Sequence, residues 1–184
     1  MQARAYVYTF KEGLLARLAH DLRVSVTRFE LRFESGRVAA RFDAGSLTVD
    51  GVARGESVDR AALSGDDKAK IEATIRNEIL HSARHPEILV TGAIRRDDRS
   101  ITVDAELNLH GHSQGLRLPV RSEPQRTFVE VELKPSKFGI PPYRAVAGAI
   151  RLQDRIVIRV EIPEELAKLE AIASSGDGAV FGPA

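Results

Sequence analysis

Five histidines carry the most chemical potential in this sequence: His20, His81, His85, His110 and His112. His110 and His112 stand two apart at the end of an alternating run, so on a strand their rings point the same way. Joined by His20 from another strand-entry segment, they have the donors for a three-imidazole zinc or iron site. The same pair also reads as rim residues that hydrogen-bond the turn. That reading is preferred, because no cysteine, H-E-x-x-H or paired-carboxylate spacing accompanies them. His81 and His85 are four apart, a helical spacing that can also hold a metal. Here they sit where a helix is expected to end, and a cation there meets the negative end of the dipole. His20-Asp21 beside Arg23 resembles a catalytic pair, but adjacent residues on a strand face opposite ways. G-x-S-x-G, the P-loop and G-x-G-x-x-G are all missing from the sequence. An enzyme therefore has no nucleophile, base or phosphate cradle to name, and no catalytic or metal residue is assigned. A His- or metal-dependent enzyme at a barrel mouth is kept as the alternative.

The element that must position His110 and His112 is the stretch Ser100–Val120, SITVDAELNLHGHSQGLRLPV. Ile101, Val103, Ala105, Leu107 and Leu109 alternate with Thr102, Asp104, Glu106, Asn108 and His110, a period of two that builds a strand with one apolar face. The alternation resumes at Leu116, Leu118 and Val120 after the link His110–Gly115. Two such runs joined by a short Gly-containing link predict an antiparallel hairpin.

The rest of the chain repeats this pattern. Strands are expected at Ala3–Phe10, at Leu22–Phe33 with a corner near Thr27-Arg28, at Val38–Phe42 and at Ser46–Val49. Leu14–His20 has the pattern of one or two helical turns, and Gly51–Leu63 reads as a polar loop. Ser64-Gly65-Asp66-Asp67 makes a capping box. The helix it opens carries Ile71, Ile75, Ile79 and Leu80 as one apolar stripe and runs about 16 residues to a stop at Pro86. Strands follow at Glu87–Ile94, Arg126–Leu133, Ala145–Leu152 and Asp154–Ile162. Pro135–Tyr143 is irregular, and Pro163 opens a last short helix to about Ala173. Many strands with one substantial helix favour a closed barrel or a sandwich.

Bulk properties narrow the function. The chain has 184 residues, 43% apolar and 29% charged, as expected of one globular unit. Its net charge of +1 gives no footprint for nucleic acid or an anionic membrane. The 21 Arg against 6 Lys fall on outward strand positions such as Arg23, Arg32, Arg41 and Arg159, and are read as solvated. Cysteine is absent, which excludes disulfides and thiolate chemistry. No apolar run approaches the roughly 18 residues of a membrane span, and the first residues lack the pattern of an export signal, so the expected location is cytoplasmic.

Four segments in order resemble the YceI-like family of lipocalin-like, polyisoprenoid-binding proteins. They are GLLARLAHDLRV, KIEATIRNEILHSARHPEILVTG, ELNLHGHSQGLRLPV and KPSKFGIPPYRAVAGAIRLQDRIVIRVEI, together about Leu14–Ile162. The resemblance implies an extended eight-stranded antiparallel barrel with one amphipathic helix alongside, spanning 1–163, followed by a short helix and tail over 164–184. It implies an apolar interior that holds an isoprenoid tail, often of a quinone or polyprenyl compound, and family members are commonly exported to the periplasm.

The residues and the resemblance together predict a non-enzymatic carrier of an amphipathic lipid. The interior residues by strand parity and family pattern are Val24, Phe29, Phe33, Phe42, Val103, Leu107, Val131, Phe138, Ile140, Ile158 and Val160. His20, His110, His112 and Arg144 are expected at the mouth, facing the head group. No cofactor beyond the lipid is expected, and a homodimer is left open. Aromatic residues are only 5% of the chain, so aliphatic side chains must do most of the filling.

Overall fold

The computed structural model describes residues 2–12, 21–55, 57–124, 126–145, 150–162 and 179–183. Its strands are β1 (Arg4–Lys11), β2 (Leu22–Val26), β3 (Phe29–Glu34), β4 (Arg37–Asp43), β5 (Leu47–Arg54), β6 (Ser57–Asp59), β7 (Glu87–Arg96) and β8 (Ile101–Leu109). They continue with β9 (His112–Glu123), β10 (Arg126–Leu133), β11 (Arg144–Ala145), β12 (Ile150–Ile162) and β13 (Ala179–Phe181). Between β6 and β7 lies α1 (Gly65–Thr74), which passes into a π-helical turn, Ile75–Ile79.

Every strand pairing is antiparallel, and the order is β13-β3-β4-β7-β8-β9-β10-β12-β1-β2-β5-β6, with β11 beside β12. Twelve strands thus form one continuous path, and the expected eight-stranded closed barrel is corrected to an open sheet. The reason lies at the two ends. Closure needs β3 to meet the β2–β5 side, but β13 occupies the free edge of β3 and β6 occupies that of β5. The sheet still curls, because Leu31 and Phe33 of β3 share one buried cluster with Val49 and Val52 of β5. Thr27 and Arg28 form the corner between β2 and β3: the Thr27 N–H donates to the Ser46 carbonyl at 3.1 Å, and the Arg28 carbonyl accepts from the Asp43 N–H at 3.0 Å.

Burial follows the alternation. In β8, Val103, Ala105, Leu107 and Leu109 are buried while Glu106 is exposed. The β8–β9 hairpin is tighter than expected. Leu109 pairs with His112, so the loop is only His110-Gly111, with φ of 53° and 77°. Positive φ at both loop positions gives a turn whose twist matches that of the strands.

Two other expectations change. Gly51–Leu63 is not all loop, since β5 runs on to Arg54 and β6 pairs with it. The expected separate strands Ala145–Leu152 and Asp154–Ile162 are in their described parts one long strand, β12, with β11 beside it. The expected helices at Leu14–His20 and from Pro163 lie outside the described residues, as does His20.

Ser64 caps α1 as anticipated, its hydroxyl accepting from the Asp67 N–H at 3.1 Å. Ile71, Ile75 and Leu80 pack on the first core cluster, and Ile79 and Leu80 on a second built from Leu107, Leu109, Leu133, Phe138 and Ile140. Glu72 ties the helix to the sheet. A bulge leaves Asp50 unmatched between the pairs Arg23–Gly51 and Val24–Val49, and the Val49 N–H at that bulge donates to Glu72 Oε1 at 2.7 Å. The helix does not reach Pro86. It ends in the π turn, where the Leu80 N–H donates to the Ile75 carbonyl five residues back, and His81 then takes a left-handed φ of 45°.

Candidate functional site

The predicted interior residues divide between the two clusters. Val24, Phe29 and Phe33 are buried in the first, with Phe42 and Val160 packed against it; the Phe29 and Phe42 rings stack with centroids 5.5 Å apart. Leu107, Phe138 and Ile140 are buried in the second, with Val131 and Ile158 packed against it. Val103 is buried on β8. Phe138 reaches its place from a short 3-10 turn, Pro135–Phe138, stopped by Gly139 at a left-handed φ of 72°.

At the second cluster a cavity of about 370 Å3 opens to the surface. Its walls are Glu78, Ile79 and His81 from the helix exit, His110 from the hairpin turn, and the segment Gly139–Arg144. Ile79 and Ile140 line the cavity and also belong to the apolar cluster, so the polar residues of the cavity sit directly beside that cluster. Two predicted mouth residues, His110 and Arg144, are thereby brought together. His112 is exposed beside them, its Nδ1 3.0 Å from the His110 carbonyl, the rim contact expected of it.

Four of the five histidines gather here. The His110 ring centroid lies 4.3 Å from that of His85, 5.7 Å from His81 and 6.5 Å from His112. The expected placement of His81 and His85 on the last turn of a helix is corrected. Left-handed His81 ends the helix, and a turn in which the Arg84 and His85 N–H groups donate to the His81 carbonyl swings His85 back onto the hairpin. The glycines make room: a Cβ on Gly111 would sit 3.4 Å from the His85 ring, and one on Gly139 only 2.7 Å from that of His112.

Both ring nitrogens of His110 are sealed from solvent without a hydrogen-bond partner of sound geometry. Burial is the first cause that holds its pKa below the ordinary histidine value, followed by the neighbouring His85; the main chain at Phe138 pulls the other way, and His81 and His112 add to the lowering. Among the described residues no group of three or more His, Asp or Glu side chains is arranged to hold a metal ion.

Sequence reasoning did not single out Glu78, Ile79, Pro141, Pro142 or Tyr143 as cavity walls. The one usable signal was Pro141-Pro142, two fixed φ angles in a segment already marked as irregular.

No curated protein sequence matches the chain. Among solved structures, Burkholderia cenocepacia BcnA superposes with a TM-score of 0.58 at 13% identity, over 86% of this chain and 94% of that one. A polyisoprenoid binding domain from Saccharophagus degradans, implicated in plant cell wall breakdown, superposes with a TM-score of 0.56 at 11% identity, over 86% and 91%. At such identities the likeness is one of fold. The sequence itself matches the model of the YceI-like domain over residues 15–163, and the chain belongs to that family.

Proposed function

We propose that this chain is a binding protein for an amphipathic lipid with a long apolar tail, isoprenoid in type, such as a polyprenyl compound or quinone. One observation carries the reading: the cavity lined by Arg144, His81 and His110 takes two of its walls, Ile79 and Ile140, from the apolar cluster built around Leu107 and Phe138. A structural neighbour named as a polyisoprenoid binding domain supports the same class of ligand.

The cavity lies at the small end of the roughly 300–1,000 Å3 usual for small-molecule sites. It takes a head group and the first part of a tail. The remainder of the tail enters as the half-buried aliphatics Ile88, Val90, Leu116, Val131, Ile156 and Ile158 part around it. Each CH2 removed from water contributes about 0.8 kcal/mol before the costs of association, so affinity should climb with tail length.

Native mass spectrometry of the gently purified full chain, followed by binding of prenyl alcohols and quinones of increasing length, tests the proposal. A co-purifying lipid, or affinity that rises with each added isoprene unit, is the expected result. Neither a bound lipid nor any length-dependent binding would end it.

A further inference from the structure

The corner around His110 concentrates irregularities that a fold does not gather by accident. Ser35, His81 and His110 are the non-glycine residues with positive φ among those described, and two of the three are here. A left-handed histidine is a strained backbone that surrounding contacts must hold in place. The adjoining helix carries a π turn, a distortion frequently found at functional sites. His110 keeps two buried ring nitrogens without a well-formed hydrogen bond, the kind of group that native structures normally satisfy.

Ile75, Ile79 and Leu80 anchor the start of this segment in the apolar clusters, and the contacts that hold its histidine end on the hairpin are ring on ring and ring on glycine. His85 lies against Gly111 and His110, and His81 against His110. Each ring can acquire a positive charge. The titratable and charged groups facing His110 are His81 and His85 after the π turn, His112 on β9, and, across the cavity, Glu78, Tyr143 and Arg144. Glu78 is the one carboxylate of that set and Arg144 its fixed cation, so any histidine that takes up a proton adds positive charge. A protonated His110 has two donors, with the main chain at Phe138 as the group that favours its charge, and it lies beside other rings that can carry the same sign.

We propose that the segment Ile75–His85 is an acid-released latch: protonation within the His81–His85–His110–His112 cluster drives it off the β8–β9 turn and widens the mouth between Ile79 and Arg144. The latch deepens the carrier reading by giving it a release condition, and it rests on that reading only for its biological consequence. The movement itself needs no lipid. Burial of His110 favours the neutral ring and keeps the latch closed near neutral pH.

The test uses the full chain and His110→Asn. Asparagine tolerates the left-handed conformation and precedes Gly111 as in common two-residue hairpins, so the turn is retained while the titrating ring is lost. Amide hydrogen exchange, corrected for the intrinsic pH effect, is followed from about pH 7.5 to about pH 5.5, spanning the ordinary histidine range. Protection of Ile75–His85 should fall about tenfold in the wild type, with the β8–β9 ladder unchanged, and should hold within about twofold in His110→Asn. Unchanged protection in the wild type, or an equal loss in the variant, overturns the latch. Uptake of the apolar dye N-phenylnaphthylamine at both pH values separates the two readings. Uptake that rises with acid supports both. A latch that opens without any dye entering stands, and tells against the carrier instead.

Discussion

Replacing Gly139 by alanine tests how tightly the Pro135–Arg144 segment is fitted to the histidine corner. At φ 72° an L residue costs about 1–2 kcal/mol on conformation alone. The new methyl would also meet His112 Cε1 at 2.7 Å, with Nε2 at 3.2 Å and Nδ1 at 3.3 Å. His112 is exposed, so its ring can swing away, but the 3.0 Å contact from Nδ1 to the His110 carbonyl is then lost, about 0.5–1.5 kcal/mol. The expected total is about 1.5–3.5 kcal/mol of lost stability, the sum of those two costs. Urea denaturation at neutral pH measures it, and a double-mutant cycle divides it. In a His112→Ala background the contact part should vanish, so Gly139→Ala should cost only the conformational part, with a coupling of about 1 kcal/mol. Equal stability of Gly139→Ala and wild type, or a cost unchanged when His112 is absent, would refute the close packing of this loop on the hairpin.

Two further outcomes follow from the same structure. Glu72→Ala removes the carboxylate that takes the Val49 N–H at the β5 bulge, and a hydrogen bond to a charged group is worth about 1.5–3 kcal/mol, so the urea midpoint should fall with m unchanged. Stability should also depend on pH through His110. Its folded pKa is depressed, so the unfolded chain binds the extra proton; the contribution is complete above about pH 6.5 and declines as pH falls through the folded value, and a urea series with and without His110→Asn should show that slope flattened in the variant. A separate loss at lower pH is expected from carboxylates such as Asp154, held below the usual range by the Ser136 hydroxyl and then its N–H, and the variant should leave that part intact.

Strand parity was readable from residue types because burial acts locally: Val103, Leu107 and Leu109 face inward for the same reason that Asp104 and Glu106 do not. The Ser64 cap was equally local. Whether the sheet closes was not legible, since it depends on which strand reaches the edge of β3, and the answer is a three-residue segment some 150 positions further on. The end of the helix is not legible, because Pro86 is a visible stop whereas a π turn and a left-handed histidine leave no mark in hydrophobic spacing. The histidine cluster joins positions 81 and 85 to 110 and 112 through that same turn. Each pair is visible in the sequence, but nothing in either says that the two meet. Glu78 and Tyr143 entered the cavity wall on the same fold-dependent terms.

A π turn is an α-helix with one residue too many, and its consequence here can be put in terms of counting. Each residue of an α-helix turns the chain by about 100°, so deleting a single position within Ile75–Ile79 would let the helix relax to regular pitch and would rotate whatever follows by about that angle. His81 and His85 would then leave Gly111 and His110 for another side of the molecule. The meeting of the four imidazoles is thus set by the length of this segment as much as by its composition, and a one-residue deletion there would rewire the site more thoroughly than most substitutions.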